Sequence, residues 1–234
     1  GLLNTVVTTQ DPDPDATLVI DPDDINALVC FAAGTSILTD RGDVLVENLK
    51  VGDNVTTKDN GNVPISWIGS RKVTLELLAA FPNFRPIRIS AGALGEGLPI
   101  KDLMVSPQHR MLIRSKIAQK MFGSIEVLVA AKQLLQVDGI DIVDDMDSVE
   151  YFHFMCDRHE IVIANGAETE SMFTGPQALK SVGQAERAEI FGLFPALADE
   201  AYEPKSARTL PSGRMGRKIV SRHLQHRKPL VTAV

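Results

Sequence analysis

The chain of 234 residues, with 44% hydrophobic and 23% charged side chains, has the composition of a globular protein and is long enough to bury one core. No apolar run approaches the roughly 20 residues that cross a bilayer, so the sequence excludes a membrane span. The net charge of −6 hides an asymmetry, because residues 1–29 hold six aspartates and no Lys or Arg, whereas residues 205–234 are basic and hold no acids.

Residues 1–28 are predicted to be an acidic leader or linker at the end of an upstream segment. Their sequence QDPDPDATLVIDPDDIN contains Asp-Pro steps that disfavour helix. The chain starts with Gly and shows no signal peptide, so we interpret it as a fragment or processed form of a longer protein. Calcium is an alternative role for the aspartates, but neither an EF-hand loop nor a glycine-rich repeat is present. The acidic and basic ends are expected to attract each other or to bind separate partners.

The stretch 29–175 is predicted to be one β-rich domain. Short runs rich in Val, Ile, Leu and Thr alternate with Gly, Asp and Pro, among them TSILT, VPISWIG, HRMLIR, IEVLVAA and HEIVIANG. The Asn60-Gly61 pair in KDNGN is typical of a tight hairpin whose central residues need positive φ. AAKQLLQV is one of the few segments here with a helical pattern.

Residues 176–234 are predicted to be a helical arm followed by a basic tail. Hydrophobic residues lie amid charges in GPQALKSVGQAERAEIFGLFPALADEAYE, which indicates helix rather than strand. The tail KSARTLPSGRMGRKIVSRHLQHRKPL lacks the aromatic residues that accompany basic residues in many nucleic-acid-binding segments. We therefore expect a solvated or partner-binding extension and no nucleic-acid partner.

The candidate functional residues of the β-rich domain fall into three blocks in chain order. Cys156 and His159 have a spacing that could bind zinc, but the two further ligands that zinc needs are not identified by the sequence. Two cysteines do not make a disulfide framework, and both are expected to be reduced. The blocks are CFAAGTSIL with VENLKVGD, opening at Cys30; SPQH, with Ser106 and His109; and YFHFMCDRHEIVIANG, with His153, Cys156 and His159.

In this order the blocks resemble the Hint module shared by inteins and the hedgehog autoprocessing domain. The first is similar to the first splicing block of inteins, whose leading Cys is the nucleophile. SPQH is similar to the Thr-x-x-His block, and HEIVIANG to the late His-x-Phe-x-Ala-Asn-Gly block. With SAGALGEG and DRHEIVIANGAETES, the pattern resembles bacterial Hint-domain proteins that lack complete splicing signals. The resemblance implies an all-β, horseshoe-like fold of many short strands with a partly helical C-terminal extension, and a secreted or cell-surface location.

The resemblance also implies that the Cys30 sulfur attacks the Val29 carbonyl carbon and converts the Val29–Cys30 peptide bond to a thioester. A thiol is mostly protonated at pH 7 and needs a base, while the amide nitrogen must gain a proton as it leaves. His109 is expected to hold the scissile N–H and to donate that proton. Ser106 is expected to orient the site or to donate to the scissile carbonyl.

Two further histidines have counterparts in the family. His153 lies at the place where many inteins carry an Asp that assists the first step, and His159 matches the histidine of the late block. Cys156 has no certain counterpart and is expected to be packed. No cofactor or metal is expected.

The sequence lacks the C-terminal residues that inteins use to complete splicing. Inteins end with His-Asn followed by Cys, Ser or Thr, whereas the corresponding positions here hold Glu170, Ser171 and Met172. Serine lacks the carboxamide that cyclises, and methionine offers no nucleophile. The thioester of the upstream polypeptide is therefore expected to pass to water or to a thiol or amine, with sterol transfer disfavoured. Two alternatives to a self-processing domain remain. One is a catalytically silent β-domain that serves as a binding or secretion module, and the other is a calcium-bound adhesion fragment.

Overall fold

The computed structural model describes residues 29–173, 190–191 and 205–232. In this part of the chain the backbone forms fourteen strands in two antiparallel sheets, which confirms the all-β prediction. The strands are β1 (Phe31–Ala32), β2 (Ser36–Thr39), β3 (Gly42–Leu45), β4 (Asn54–Thr57), β5 (Gly61–Pro64), β6 (Trp67–Thr74), β7 (Ile87–Ile89), β8 (Leu103–Val105), β9 (Arg110–Arg114), β10 (Glu126–Ala130), β11 (Ile140–Ile142), β12 (Ser148–Met155), β13 (Ile161–Ala164) and β14 (Ala167–Glu170).

The helices that lie wholly within the described residues are short apart from the last. They are α1 (Leu75–Ala80), α2 (Lys116–Phe122) and α3 (Gly213–Gln225), with 3-10 turns at Val46–Asn48, Pro82–Phe84 and Ala131–Gln133. None of the helices in the described ranges is long and apolar enough to cross a membrane.

The two sheets share one core and bring distant parts of the sequence together. The six-stranded sheet has the order β11-β7-β8-β1-β12-β6, so the two-residue strand β1 lies between β8 and β12. Phe31 of β1 pairs with Val105 on one side and with Phe152 on the other. The eight-stranded sheet has the order β10-β9-β14-β13-β2-β4-β5, with β3 paired to β2.

The apolar runs form strands because their Val, Ile and Leu side chains fit a pleated surface that is covered by protein. In β9 and β10 the central residues are buried on both faces, so these strands read as continuous apolar runs rather than as alternating patterns. Burial of each such side chain contributes about 1.5–3 kcal/mol.

Two local predictions meet different outcomes. The KDNGN hairpin forms between β4 and β5, with Thr57 opposite Gly61, but of the Asn-Gly pair only Gly61 has a positive φ, at 65°. The expected helix AAKQLLQV is reduced to the 3-10 turn Ala131–Gln133. Ala131 and Leu134, directly after β10, are fully buried in the main core, so this segment does not lie on the surface as a longer helix.

The described part of the basic tail is not simply a solvated extension, because one face of it packs on the β-domain. Helix α3 packs on the β-domain through Ile219 and Val220, which are fully buried in the main core. Gly216 has no side chain, and this allows the helix to approach Gln133 closely. Before the helix, Arg208 forms ion pairs with Asp59 and Glu126 of the β-domain. The acidic leader and nearly all of the predicted helical arm lie outside the described residues.

Candidate functional site

The Val29–Cys30 peptide bond lies inside the protein at the start of β1. Val29 is 4% exposed and Cys30 is fully buried. The Cys30 N–H donates to Ser106 Oγ at 3.0 Å, and the Ser106 N–H donates to the Cys30 carbonyl at 3.0 Å. Ser106 follows directly after β8, the strand next to β1, so sheet pairing brings these residues together across 76 positions of sequence.

His153 is the imidazole beside the thiol. Its Nδ1 lies 3.5 Å from Cys30 Sγ, and its ring packs 5.1 Å from the ring of Trp67. The strand β6 leaves space for the ring only because residue 69 is glycine: a Cβ there would lie 3.2 Å from His153 Nε2 and 2.6 Å from the Trp67 ring. Burial, with a smaller contribution from Arg71, lowers the pKa of His153 to about 4. His153 is therefore neutral at pH 7 and can accept a proton.

His109 is held by the turn that follows Ser106. Its N–H donates to the Ser106 carbonyl at 3.0 Å, and its ring lies 4.4 Å from the ring of Phe31. Burial lowers the pKa of His109 to about 4, against the opposing influence of Glu170. The scissile N–H, which we expected His109 to hold, is donated to Ser106 Oγ instead.

The tautomer of His109 follows from its contact with Thr169, which the sequence analysis did not single out. Thr169 Oγ1 donates its one proton to the Arg110 carbonyl at 2.7 Å, so it can only accept from His109 Nε2, at 2.6 Å. We therefore assign the neutral ring as protonated at Nε2. Nδ1 is an unprotonated acceptor that is buried without a hydrogen-bond partner among the described residues.

His159 belongs to a neighbouring buried cluster and does not contact the thiol. Its Nε2 lies 3.1 Å from Glu170 Oε2, and its Nδ1 accepts the Ala207 N–H of the C-terminal tail at 3.1 Å. Glu170 also accepts from the Arg110 N–H at 2.9 Å and from its guanidinium at 3.2 Å. Burial alone would raise the pKa of Glu170, but the contacts with His159 and Arg110 outweigh it and hold the pKa below the ordinary value.

Cys156 lies away from this site, in the main core, as a packed residue. Burial, followed by the nearby Glu160 and Asp157, raises its pKa to about 12, so its thiol stays protonated at neutral pH. Neither of the two described cysteines forms a disulfide bond. Within the described part of the chain, no three His, Cys, Asp or Glu side chains are grouped so that they could hold a metal ion.

The structure thus brings Cys30, Ser106 and His153 into direct contact, places His109 next to Ser106, and separates His159 from them. Sequence reasoning missed the partners Thr169, Glu170 and Arg110. Glu170 and Ser171 attracted notice only as replacements for the terminal pair of inteins. Both are 0% exposed, and the polar sequence Ala-Glu-Thr-Glu of β14 gives no signal of that burial.

Several solved structures are similar to this chain. An intein-like domain from Clostridium thermocellum is 19% identical, with 62% of this chain and 99% of that one covered and a TM-score of 0.38. The gp41-1 intein is 15% identical, with 60% and 96% covered and a TM-score of 0.36. A DnaB intein from Synechocystis sp. PCC 6803 is 11% identical, with 61% and 98% covered and a TM-score of 0.36.

No curated protein matches the chain with significance. The family model described as "Hint domain" matches residues 29–176, which is more than half of the chain. The block that opens at Cys30, the SPQH turn and the strand pair β13–β14 all lie within this match. The chain therefore belongs to the Hint-domain family.

Proposed function

We propose that this protein is a self-processing domain in which Cys30 attacks the carbonyl carbon of Val29. The observation that carries the proposal is the contact of Cys30 with two groups at once: His153 Nδ1 at its sulfur and Ser106 Oγ at its amide nitrogen. A base at the nucleophile and a hydroxyl at the leaving nitrogen are what an N-to-S acyl shift requires. The substrate is the protein's own upstream polypeptide.

The step is balanced as a transfer of one proton from sulfur to nitrogen. The Sγ–C bond forms, the C–N bond between Val29 and Cys30 breaks, and the Cys30 nitrogen becomes an amine. The neutral His153 takes the thiol proton and returns it to the Cys30 nitrogen as the C–N bond breaks, while Ser106 Oγ holds that nitrogen in place through its N–H. An imidazole with a pKa of about 4 is a weak base for a thiol, so we expect slow cleavage.

The thioester is resolved by water or by another nucleophile rather than by splicing. Glu170 stands at the position of the terminal histidine of inteins, and its carboxylate is committed to Arg110 and His159. Ser171 accepts the Glu160 N–H through its hydroxyl and has no carboxamide to cyclise. We assign residues 29–175 to the processing domain, 1–28 to the acidic leader, and 176–234 to the arm and tail.

The test uses the chain extended by its upstream segment. Its cleavage is measured by mass spectrometry, once with hydroxylamine and once without. The proposal expects a product that ends at Val29, faster with hydroxylamine, absent in Cys30→Ala and weaker in His153→Gln. Cys156→Ala is the matched control, because it removes the other buried thiol and is expected to leave cleavage unchanged. A precursor that stays intact under all conditions would instead favour the silent binding or secretion module.

A further inference from the structure

A second feature adjoins the Cys30 site, namely a cavity of about 200 Å³. Its wall includes Ser106, Tyr151, Phe84, Arg85 and Lys132. The 3-10 turn Pro82–Phe84 forms one side, and the segment that follows β8 forms another. No role in the proposed acyl shift uses this space.

The cavity reaches the scissile bond through two of its lining residues. Ser106 Oγ is 3.0 Å from the Cys30 nitrogen, so the lining residue Ser106 connects the cavity wall to that atom. Tyr151 lies on β12 opposite Ala32, and its hydroxyl donates to the Phe84 carbonyl at 2.8 Å. Burial, and then the proximity of Cys30, raises the pKa of Tyr151. A molecule in this cavity therefore lies beside Ser106, which hydrogen-bonds the Cys30 nitrogen, and beside Tyr151, which belongs to the same hydrophobic cluster as Cys30.

Among the described residues, the two charged side chains that line the cavity are cationic. Arg85 donates to the Asp144 backbone carbonyl at 2.8 Å and has its closest carboxylate oxygen at 3.8 Å, on a side chain of Asp144 that is 83% exposed. Lys132 has no ion-pair partner among the described residues. Burial, followed by the nearby Arg217 and Arg110, lowers the pKa of Lys132. No Asp or Glu lines the cavity within the part of the chain that the structure describes.

The size of the cavity limits its occupant. Pockets for drug-sized ligands commonly span roughly 300–1,000 Å³, and a water molecule takes about 30 Å³ of liquid. At about 200 Å³ the space admits a few waters or a molecule of several non-hydrogen atoms. It does not enclose a sterol.

We propose that this cavity admits the acyl acceptor and selects small nucleophiles that carry a negative charge, such as a thiol or amine with a carboxylate or sulfonate group. This inference rests on the proposed thioester at Cys30. The sulfur or nitrogen of the acceptor bonds to the Val29 carbonyl carbon, and the bond from that carbon to Cys30 Sγ breaks. Cys30 gains the proton that the acceptor loses. Arg85 and Lys132 hold the anionic group, while Ser106 lies at the end where the bond exchanges.

The test compares three thiols of similar size: 2-mercaptoethanesulfonate, 2-mercaptoethanol and cysteamine, which are anionic, neutral and cationic. Each cleavage rate of the extended chain is divided by the rate of the same thiol with a free thioester peptide, which removes differences in intrinsic reactivity. We expect the normalised rate to be roughly tenfold higher for the sulfonate than for cysteamine, and this preference to shrink in Lys132→Gln. Lys116→Gln, a surface lysine outside the cavity, is the matched control. Equal normalised rates would overturn the inference.

A binding experiment separates failure of this inference from failure of the proposed function. The Cys30→Ala chain, which cannot form a thioester, is titrated with ethanesulfonate and followed by amide NMR shifts. Saturable shifts at Ser106 and Lys132 that weaken in the additional Lys132→Gln variant support the cavity as an anion site. Shifts that do not saturate contradict it. Cleavage by no thiol, together with saturable binding, refutes the acyl shift and leaves the anion site standing.

Discussion

Cys30 and Ser106 exchange two hydrogen bonds, one through the Ser106 hydroxyl and one through the Ser106 N–H, both at 3.0 Å. The pair joins the end of β8 to the residue before β1 and fixes the two peptide groups that flank the Cys30 Cα. This single relationship links the stability of the site to its chemistry.

Ser106→Ala is expected to impair both properties. Removing the hydroxyl takes away an acceptor from a buried N–H, which costs about 1–3 kcal/mol of unfolding free energy. It also removes the hydroxyl at the leaving nitrogen and should slow cleavage at least tenfold. Urea denaturation and mass spectrometry of the extended chain measure the two effects. Ser106→Thr keeps the hydroxyl and should recover most of both, and unchanged cleavage in Ser106→Ala would exclude the assigned role.

Thr169→Val is expected to release the tautomer of His109. The substitution keeps the shape of the side chain but removes the acceptor of His109 Nε2–H and the donor to the Arg110 carbonyl. We expect a loss of about 1–3 kcal/mol in unfolding free energy, and ¹⁵N NMR should show a mixture of His109 tautomers. Thr169→Ser should retain the wild-type spectrum. Thr56→Val serves as control, since Thr56 bonds an exposed Asn62 on a strand edge; a loss of equal size there would contradict the assignment.

Acidification is expected to destabilise the fold through its buried histidines. His109 and His153 each have a pKa of about 4 in the folded protein, below the value of about 6.5 in an unfolded chain. As the pH falls the unfolded state binds these protons first, so stability decreases between pH 6.5 and 4 and levels off below that range. A shift of this size corresponds to about 3 kcal/mol for each ring.

Urea titrations at pH 7, 6 and 5 check this prediction in a range where most carboxylates remain ionised. In His153→Gln, the loss of unfolding free energy between pH 7 and 5 should be about half of the loss in the wild type. A stability that is constant between pH 7 and 5 would contradict neutral burial of the two rings.

Ile219→Ala is expected to show that the C-terminal helix is part of the folded domain. Ile219 is fully buried in the main core, and truncation of such a side chain costs about 2–5 kcal/mol. Leu224→Ala on the same helix is the control, because Leu224 is 44% exposed and its truncation should cost little. Thermal denaturation of the full chain compares the two. Equal midpoints would mean that the helix does not contribute to the core.

The sequence predicted the β-rich domain and the residues around Cys30 because apolar strand runs and spaced functional groups are local signals. It did not predict the docking of α3. The many positive charges of that helix, which lie on its exposed face, dominate the sequence pattern, and the apolar pair Ile219 and Val220 is a weak signal beside them. Thr169 was missed for a related reason. A threonine on a strand is unremarkable until the fold places it beside His109, 60 residues away in sequence.

The sequence also could not show that His153 and His159 lie in different surroundings. His153 and His159 are six positions apart in the same block, yet one faces the thiol and the other faces Glu170. Between them the chain leaves β12 and turns into β13, which points the two rings to different sheets. No periodicity of the sequence encodes that separation.

The burial of Val29 gives hydrolysis a thermodynamic direction. In the intact chain this residue presents a neutral peptide group to an interior where it is 4% exposed. Hydrolysis would turn that group into a carboxylate, and an unpaired negative charge in such surroundings costs several kcal/mol. The newly formed chain end would therefore be expelled toward water. The reverse ligation would have to return the same charge to the interior, so the reaction would act as a one-way release of the upstream polypeptide.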